Sequence, residues 1–175
     1  MSISTPTFQR DSNLAFWPAL YFTAIVVSNL MMVWLPMVPV FGVDIPPAIF
    51  LFGFVFALRD FAQRALGHHV LGVMAAAAIA TYWLAGPAIA LASTTAFLVS
   101  ELADWAVYTI TKRPFVQRML VSSLISVPVD TAVFFLALGI LDAKSLIVGI
   151  GIKMIGTAVL WAYLAARPLA AEQPT

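Results

Sequence analysis

Four ionisable residues stand where this chain is otherwise oily: Glu101, Asp104, Asp130 and Lys153. A charge in hydrocarbon is costly, and it persists there when it faces a bundle interior or a wet cavity. Carboxylates accept in-plane hydrogen bonds from amines and ring N–H groups, and an ammonium donates to a carbonyl or nitrile. Asn29 adds an amide. Helical spacing sorts these residues into faces. Ser123, Ser126, Asp130 and Phe134 share one, Phe97, Glu101, Asp104, Trp105 and Tyr108 a second, and Gly149, Lys153, Gly156 and Thr157 a third. Acid, base, amide, hydroxyl and ring on facing helices suit a cavity for a small, flat, polar molecule, with Trp105 and Phe134 stacking on it. A ligand-free reading makes Asp130 and Lys153 a structural ion pair. One lysine cannot neutralise three carboxylates, however, and an unmatched acid at membrane depth must titrate, meet a ligand or face water.

The elements that carry these faces follow from composition. Of 175 residues, 62% are hydrophobic and 10% charged, with a net charge of +1. A soluble domain is about half apolar and a quarter charged, so the solvent here is lipid, and nothing points to nucleic acid. Without cysteine there are no disulfides and no thiolate metal ligands. The first apolar run lacks a following A-x-A cleavage site and reads as retained. A span needs about 20 apolar residues. The sequence predicts an all-α membrane protein of one domain with six transmembrane helices, at residues 17–35, 47–66, 69–85, 87–111, 115–140 and 145–167. PMVPVFGVDIPP, LGHH, AGP, TKRP and LDAK separate them; the third span is the shortest and could form a re-entrant pair with the fourth.

Orientation follows from Lys and Arg in short loops. With both termini cytoplasmic, Arg10, Arg59, Arg64, Lys112, Arg113, Arg118 and Arg167 lie on the inner side and Lys144 on the outer. Helical rise puts Asp130 ~15 Å, Lys153 ~12 Å and Asn29 ~9 Å below the outer end, so Asp130 and Lys153 can meet near the midplane. Pro128 cannot donate to the carbonyl of Leu124, which predicts a kink or local unwinding in the fifth span, eased by Ser122, Ser123 and Ser126.

At the inner end of the second span, ALRDFAQRALG offers two readings. Its charges are interfacial anchors, or Asp60 and Arg64 form an i, i+4 pair that gates the cavity. His68 and His69 read as an interfacial turn without a third metal ligand. Trp17, Tyr21 and Trp161 read as an aromatic belt or lipid contacts. The alanines Ala75 to Ala78 suit internal packing, or docking of a partner. No G-x-x-x-x-G-K-[ST] occurs, so ATP use would need another chain. Neither G-x-G-D nor H-E-x-x-H occurs, which argues against an intramembrane protease, and no charge ring or carbonyl filter points to a channel.

Five pieces together resemble the VUT family of queuosine-precursor transporters: VVSNL (26–30), FVFALRDFAQRALG (54–67), SELADWAVYTITKR (100–113), SSLISVPVDTAVFFLALG (122–139) and GIKMIGTAVLWAYL (151–164). The positions that match the family's polar motifs are Asn29, Asp60, Arg64, Asp104, Asp130 and Lys153; Glu101 matches less consistently. The resemblance implies a six-helix bundle similar to the S components of energy-coupling-factor importers. It implies uptake of 7-deazaguanine bases such as 7-cyano-7-deazaguanine (preQ0) across a bacterial inner membrane, with no cofactor and without a dedicated ATPase module. The alternative is a substrate-binding subunit that needs a separate ATP-driven partner. A homo-oligomer is left open.

Overall fold

A computed structural model of the protein describes residues 15–110 and 115–165, without the side chains at 101, 104–106, 108–110, 115, 116, 118, 119, 164 and 165. Six α-helices dominate: α1 (Phe16–Trp34), α2 (Ala48–Leu66), α3 (Val70–Ala85), α4 (Pro87–Ile110), α5 (Phe115–Ala137) and α6 (Ala143–Ala165). Their bounds fall within three residues of the expected spans. Glycine and proline place the breaks. Gly67, at φ +59, ends α2, and Gly86, at φ +93, ends α3; a left-handed residue closes a helix at little cost only when it is glycine. Pro87 then opens α4, where its fixed φ suits the first helical turn and its missing N–H is not needed.

Between α1 and α2 the chain makes a short antiparallel hairpin, β1 (Val38–Val40) and β2 (Val43–Ile45), in the register Val38 to Ile45 and Val40 to Val43. The two-residue loop is Phe41 at φ +50 and Gly42 at φ +74. Two positive φ values match the twist of a tight hairpin. Ile45 is fully buried, and Val38, Val40 and Val43 pack on the core, so the hairpin seals the end of the bundle at which α1 finishes and α2 begins. Lys144 Nζ donates to the Gly42 carbonyl at 3.2 Å, tying the hairpin to the start of α6.

The helices pack as a closed ring in the order α1, α2, α6, α5, α4, α3, flattened where α2 touches α5 and α1 touches α4. The inward faces are apolar except for the residues described below, and the outward faces carry leucine, isoleucine, valine and tryptophan. In lipid these outward residues gain nothing from burial, so close packing and hydrogen bonds hold the helices together.

Among the described residues, four stretches are long and apolar enough to cross a membrane: Phe16–Trp34, Ala48–Ala85, Leu120–Ala137 and Ala143–Tyr163. This is fewer than the six expected. Ala48–Ala85 is a single apolar stretch that contains both α2 and α3. In α4 the described residues give a shorter apolar stretch, Pro87–Ser100.

Candidate functional site

The only charged residues that α5 and α6 bring together among those described are Asp130 and Lys153. Lys153 Nζ donates to Asp130 Oδ2 at 2.7 Å, with 1% and 5% of the respective side chains exposed. Two rings flank the ammonium: its Nζ lies 5.2 Å from the centroid of Phe52 and 5.8 Å from that of Phe134, within cation–π range. Phe52 meets Phe134 edge-on at 5.6 Å and Phe97 at 6.4 Å. The result is an ion pair walled by aromatic rings from α2 and α5, with Phe97 of α4 behind them. Removing one member of such a pair leaves an uncompensated buried charge, at a cost of about 3–5 kcal/mol.

Glycines set the position of Lys153. A Cβ on Gly53 would lie 2.5 Å from the Lys153 carbonyl oxygen, and one on Gly156 would lie 3.2 Å from the Gly53 backbone. Only bare backbone lets α2 and α6 cross there. Thr157 Oγ1 seals the crossing by donating to the Gly53 carbonyl at 3.1 Å. On the other side, a Cβ on Gly149 would meet Phe135 and Thr131 at 3.0 Å, so α6 also sits close on α5.

The predicted faces of α5 and α6 point inward: Ser123, Ser126, Asp130, Phe134, Gly149, Lys153, Gly156 and Thr157 are all buried. Pro128 does not unwind the helix, since α5 stays helical from Phe115 to Ala137. Nor does Ser126 turn to the carbonyl that Pro128 leaves without its amide. Ser126 Oγ donates to Ser122 O at 2.9 Å, and Thr131 Oγ1 to Val127 O at 2.7 Å. Each hydroxyl satisfies itself on its own helix, four residues back.

Asn29 is fully buried on α1. Its Nδ2 donates to the Ile25 carbonyl at 2.8 Å, while Oδ1 has no hydrogen-bond partner among the described residues. Glu101, Asp104 and Trp105 lie on the half of α4 nearer its C-terminus, and their side chains fall outside the described residues.

At the opposite end of α2, Asp60 Oδ1 takes Arg59 Nη2 at 2.6 Å and Arg59 Nε at 3.2 Å. The sequence left two readings for these charges, interfacial anchors or an Asp60–Arg64 pair. Asp60 contacts its chain neighbour Arg59, which is buried; Arg64 is exposed. A legible signal existed: Phe52, Val55, Phe56 and Arg59 recur at three or four residues on the buried face of α2. Trp17 stacks on Phe61 at 4.4 Å, and Trp161 packs with Phe61 and Ala57, so these aromatics contact the bundle as well as its surroundings. Tyr21 belongs to the core and not to an aromatic belt, being fully buried. Among Ala75 to Ala78 only Ala77 is buried, and Ala75 and Ala76 face outward. His68 and His69 lie in an exposed 3-10 turn. Among the described residues no group of three His, Asp or Glu could hold a metal ion.

A ring of apolar helices around a buried charged pair defines a membrane protein with a polar site inside its helical bundle. The chain belongs to the family described as "Putative vitamin uptake transporter", whose family model matches residues 14–170. No curated protein and no solved structure matches the chain.

Proposed function

We propose that this protein imports 7-deazaguanine bases, the precursors of queuosine, across a bacterial inner membrane. The observation that carries the reading is the buried Asp130–Lys153 pair between Phe52 and Phe134, in a chain of an uptake-transporter family. A guanine-like base offers an amino and ring N–H edge that a carboxylate accepts, and a carbonyl or nitrile that an ammonium can donate to. Aromatic rings complement its faces. In this reading Asp130 and Lys153 exchange some of their mutual contact for the base, Phe134 and Trp105 cover it, and Asn29, Glu101 and Asp104 complete the polar lining. Asp60, with Arg59 and Arg64, closes the cytoplasmic side. All six helices cross the bilayer, with both termini in the cytoplasm, and no ATPase module is required.

Uptake of labelled 7-cyano-7-deazaguanine and 7-aminomethyl-7-deazaguanine by the purified protein in liposomes tests this directly. Uptake is expected without ATP or a second protein, and Asp130→Asn and Lys153→Ala are each expected to abolish it. Retention of full uptake by both variants would place the site elsewhere. Uptake that appears only with an added ATPase would assign the chain to the substrate-binding-subunit class.

A further inference from the structure

Five buried hydroxyls of this bundle donate to backbone carbonyls, and one on α3 does not. Ser28 donates to Ala24 O, Ser100 to Phe97 O, Ser126 to Ser122 O and Thr131 to Val127 O, at 2.7–3.0 Å, and Thr157 donates to the Gly53 and Lys153 carbonyls. Thr81 on α3 is 1% exposed, and its Oγ1 has no partner among the described residues. The carbonyl four residues back, that of Ala77, is the usual acceptor for such a hydroxyl, but Thr81 makes no such bond. In hydrocarbon no bulk water can take its place.

A second orphan lies beside it in the topology. Asn29 Oδ1 is also buried without a partner among the described residues. Asn29 lies five residues before the end of α1 and Thr81 four before the end of α3, and these two helices are neighbours that run in the same direction. At ~1.5 Å per residue both orphans sit about 6–8 Å from the same end of the bundle. Around the ring, α1 and α3 form one adjacent pair and α5 and α6 another, with α2 and α4 between them. The charged pair Asp130–Lys153 and the uncharged pair Asn29–Thr81 therefore stand on opposite walls.

We propose that Thr81 is a specificity-determining residue that, with Asn29, forms a neutral pole of the substrate site facing the charged pole on α5 and α6. One pole residue is an acceptor and the other a hydroxyl donor. This set complements an adjacent N–H and C=O, the cis-amide edge of a lactam ring; a 6-amino ring offers its donor and acceptor in the reverse order, so it must turn over, away from the charged pole, or lose these bonds. The inference rests on the proposed uptake of a purine-like base and adds the residue that reads its neutral edge.

The test compares wild type, Thr81→Val and Thr81→Ser in liposomes, with a 7-deazaguanine base and its 6-amino counterpart as substrates, together with the melting temperature of each protein. Thr81→Val keeps the side chain's shape and removes the hydroxyl. It is expected to raise KM for the lactam base about tenfold, the loss of one hydrogen bond, and to narrow the preference over the 6-amino base. Its melting temperature should stay unchanged or rise, because a buried unsatisfied group is removed. Thr81→Ser should retain the wild-type KM. A wild-type KM in Thr81→Val overturns the proposal while uptake by the native protein leaves the transport reading standing. So does a melting temperature that falls in Thr81→Val and not in Thr81→Ser, since the hydroxyl would then serve the fold. Absence of base uptake by the native protein sinks the transport reading, and this inference with it.

Discussion

The two described ion pairs of this bundle are built differently. Asp130 and Lys153 are 23 residues apart and bridge two helices, while Arg59 and Asp60 are consecutive in one helix. The first pair exists only when α2, α5 and α6 are correctly packed, since bare glycine backbone at Gly53 and Gly156 sets the distance. The second involves only a local choice of rotamers at the end of α2. A long-range pair in lipid reports on the whole fold and is exposed to any change in it. A local pair is cheap to form, because the chain itself holds its two members side by side.

That contrast can be broken at its strongest point first. Lys153→Ala strands a carboxylate whose side chain is 5% exposed, so unfolding in detergent should occur with about 3–5 kcal/mol less stability and uptake should be lost. A Lys153→Met, Asp130→Leu double variant should recover most of that stability and none of the uptake. Recovery of both would make the pair purely structural.

Gly53→Ala comes next. Its Cβ would lie 2.5 Å from the Lys153 carbonyl oxygen, so α2 and α6 must separate. Overpacking of this kind costs about 1–3 kcal/mol, and uptake should fall steeply although no polar group has changed. Thermal unfolding together with initial rates checks this. Arg59→Met should cost less stability than Lys153→Ala under the same conditions. An equal or larger loss would mean that the Arg59–Asp60 pair is as deeply committed to the fold as the Asp130–Lys153 pair.

The smallest effect lies at the start of α6. Asp142 accepts from the Ser145 hydroxyl and from the backbone N–H groups of Ser145 and Lys144. These bonds, the Ser145 hydroxyl foremost, hold its carboxyl below the ordinary value of 3.8. A lowered folded value means that the contribution to stability is complete above the ordinary value and is lost as pH falls through the lowered one. Asp142→Asn should therefore give a slightly lower melting temperature near neutrality and a flatter acid limb in a melting-temperature profile.

Much of the bundle was readable because contrast was high. Asp130 and Lys153 stand out in runs of Val, Ile, Phe and Gly, and the Ser–Asp–Phe face of α5 follows from spacing alone. Phe52 and Gly53 gave no such contrast, since one more ring or glycine in an apolar run looks like its neighbours until α6 is laid against it. The hairpin was hidden because its strands are three residues long and interrupted by Pro39; only Phe41–Gly42 between valines hinted at it. Arg59 drew less notice than Arg64 because i, i+4 pairing is the usual expectation on a helix surface, while burial placed Arg59 in line with Phe52 and Phe56. Tyr21 looked interfacial by type but was placed in the core by packing.

The order of the chain gives the Asp130–Lys153 contact a temporal side. A ribosome makes α5 before α6, so the acid emerges 23 residues ahead of its counter-ion. During that interval the nascent fifth helix carries a carboxylate that no partner from the finished fold can meet. Stable residence of α5 in the bilayer with Asp130 ionised therefore waits on α6, and a chain cut short before residue 153 would retain an acid its membrane cannot easily accept. The later-made of the two segments is thus the one that lets the earlier one settle.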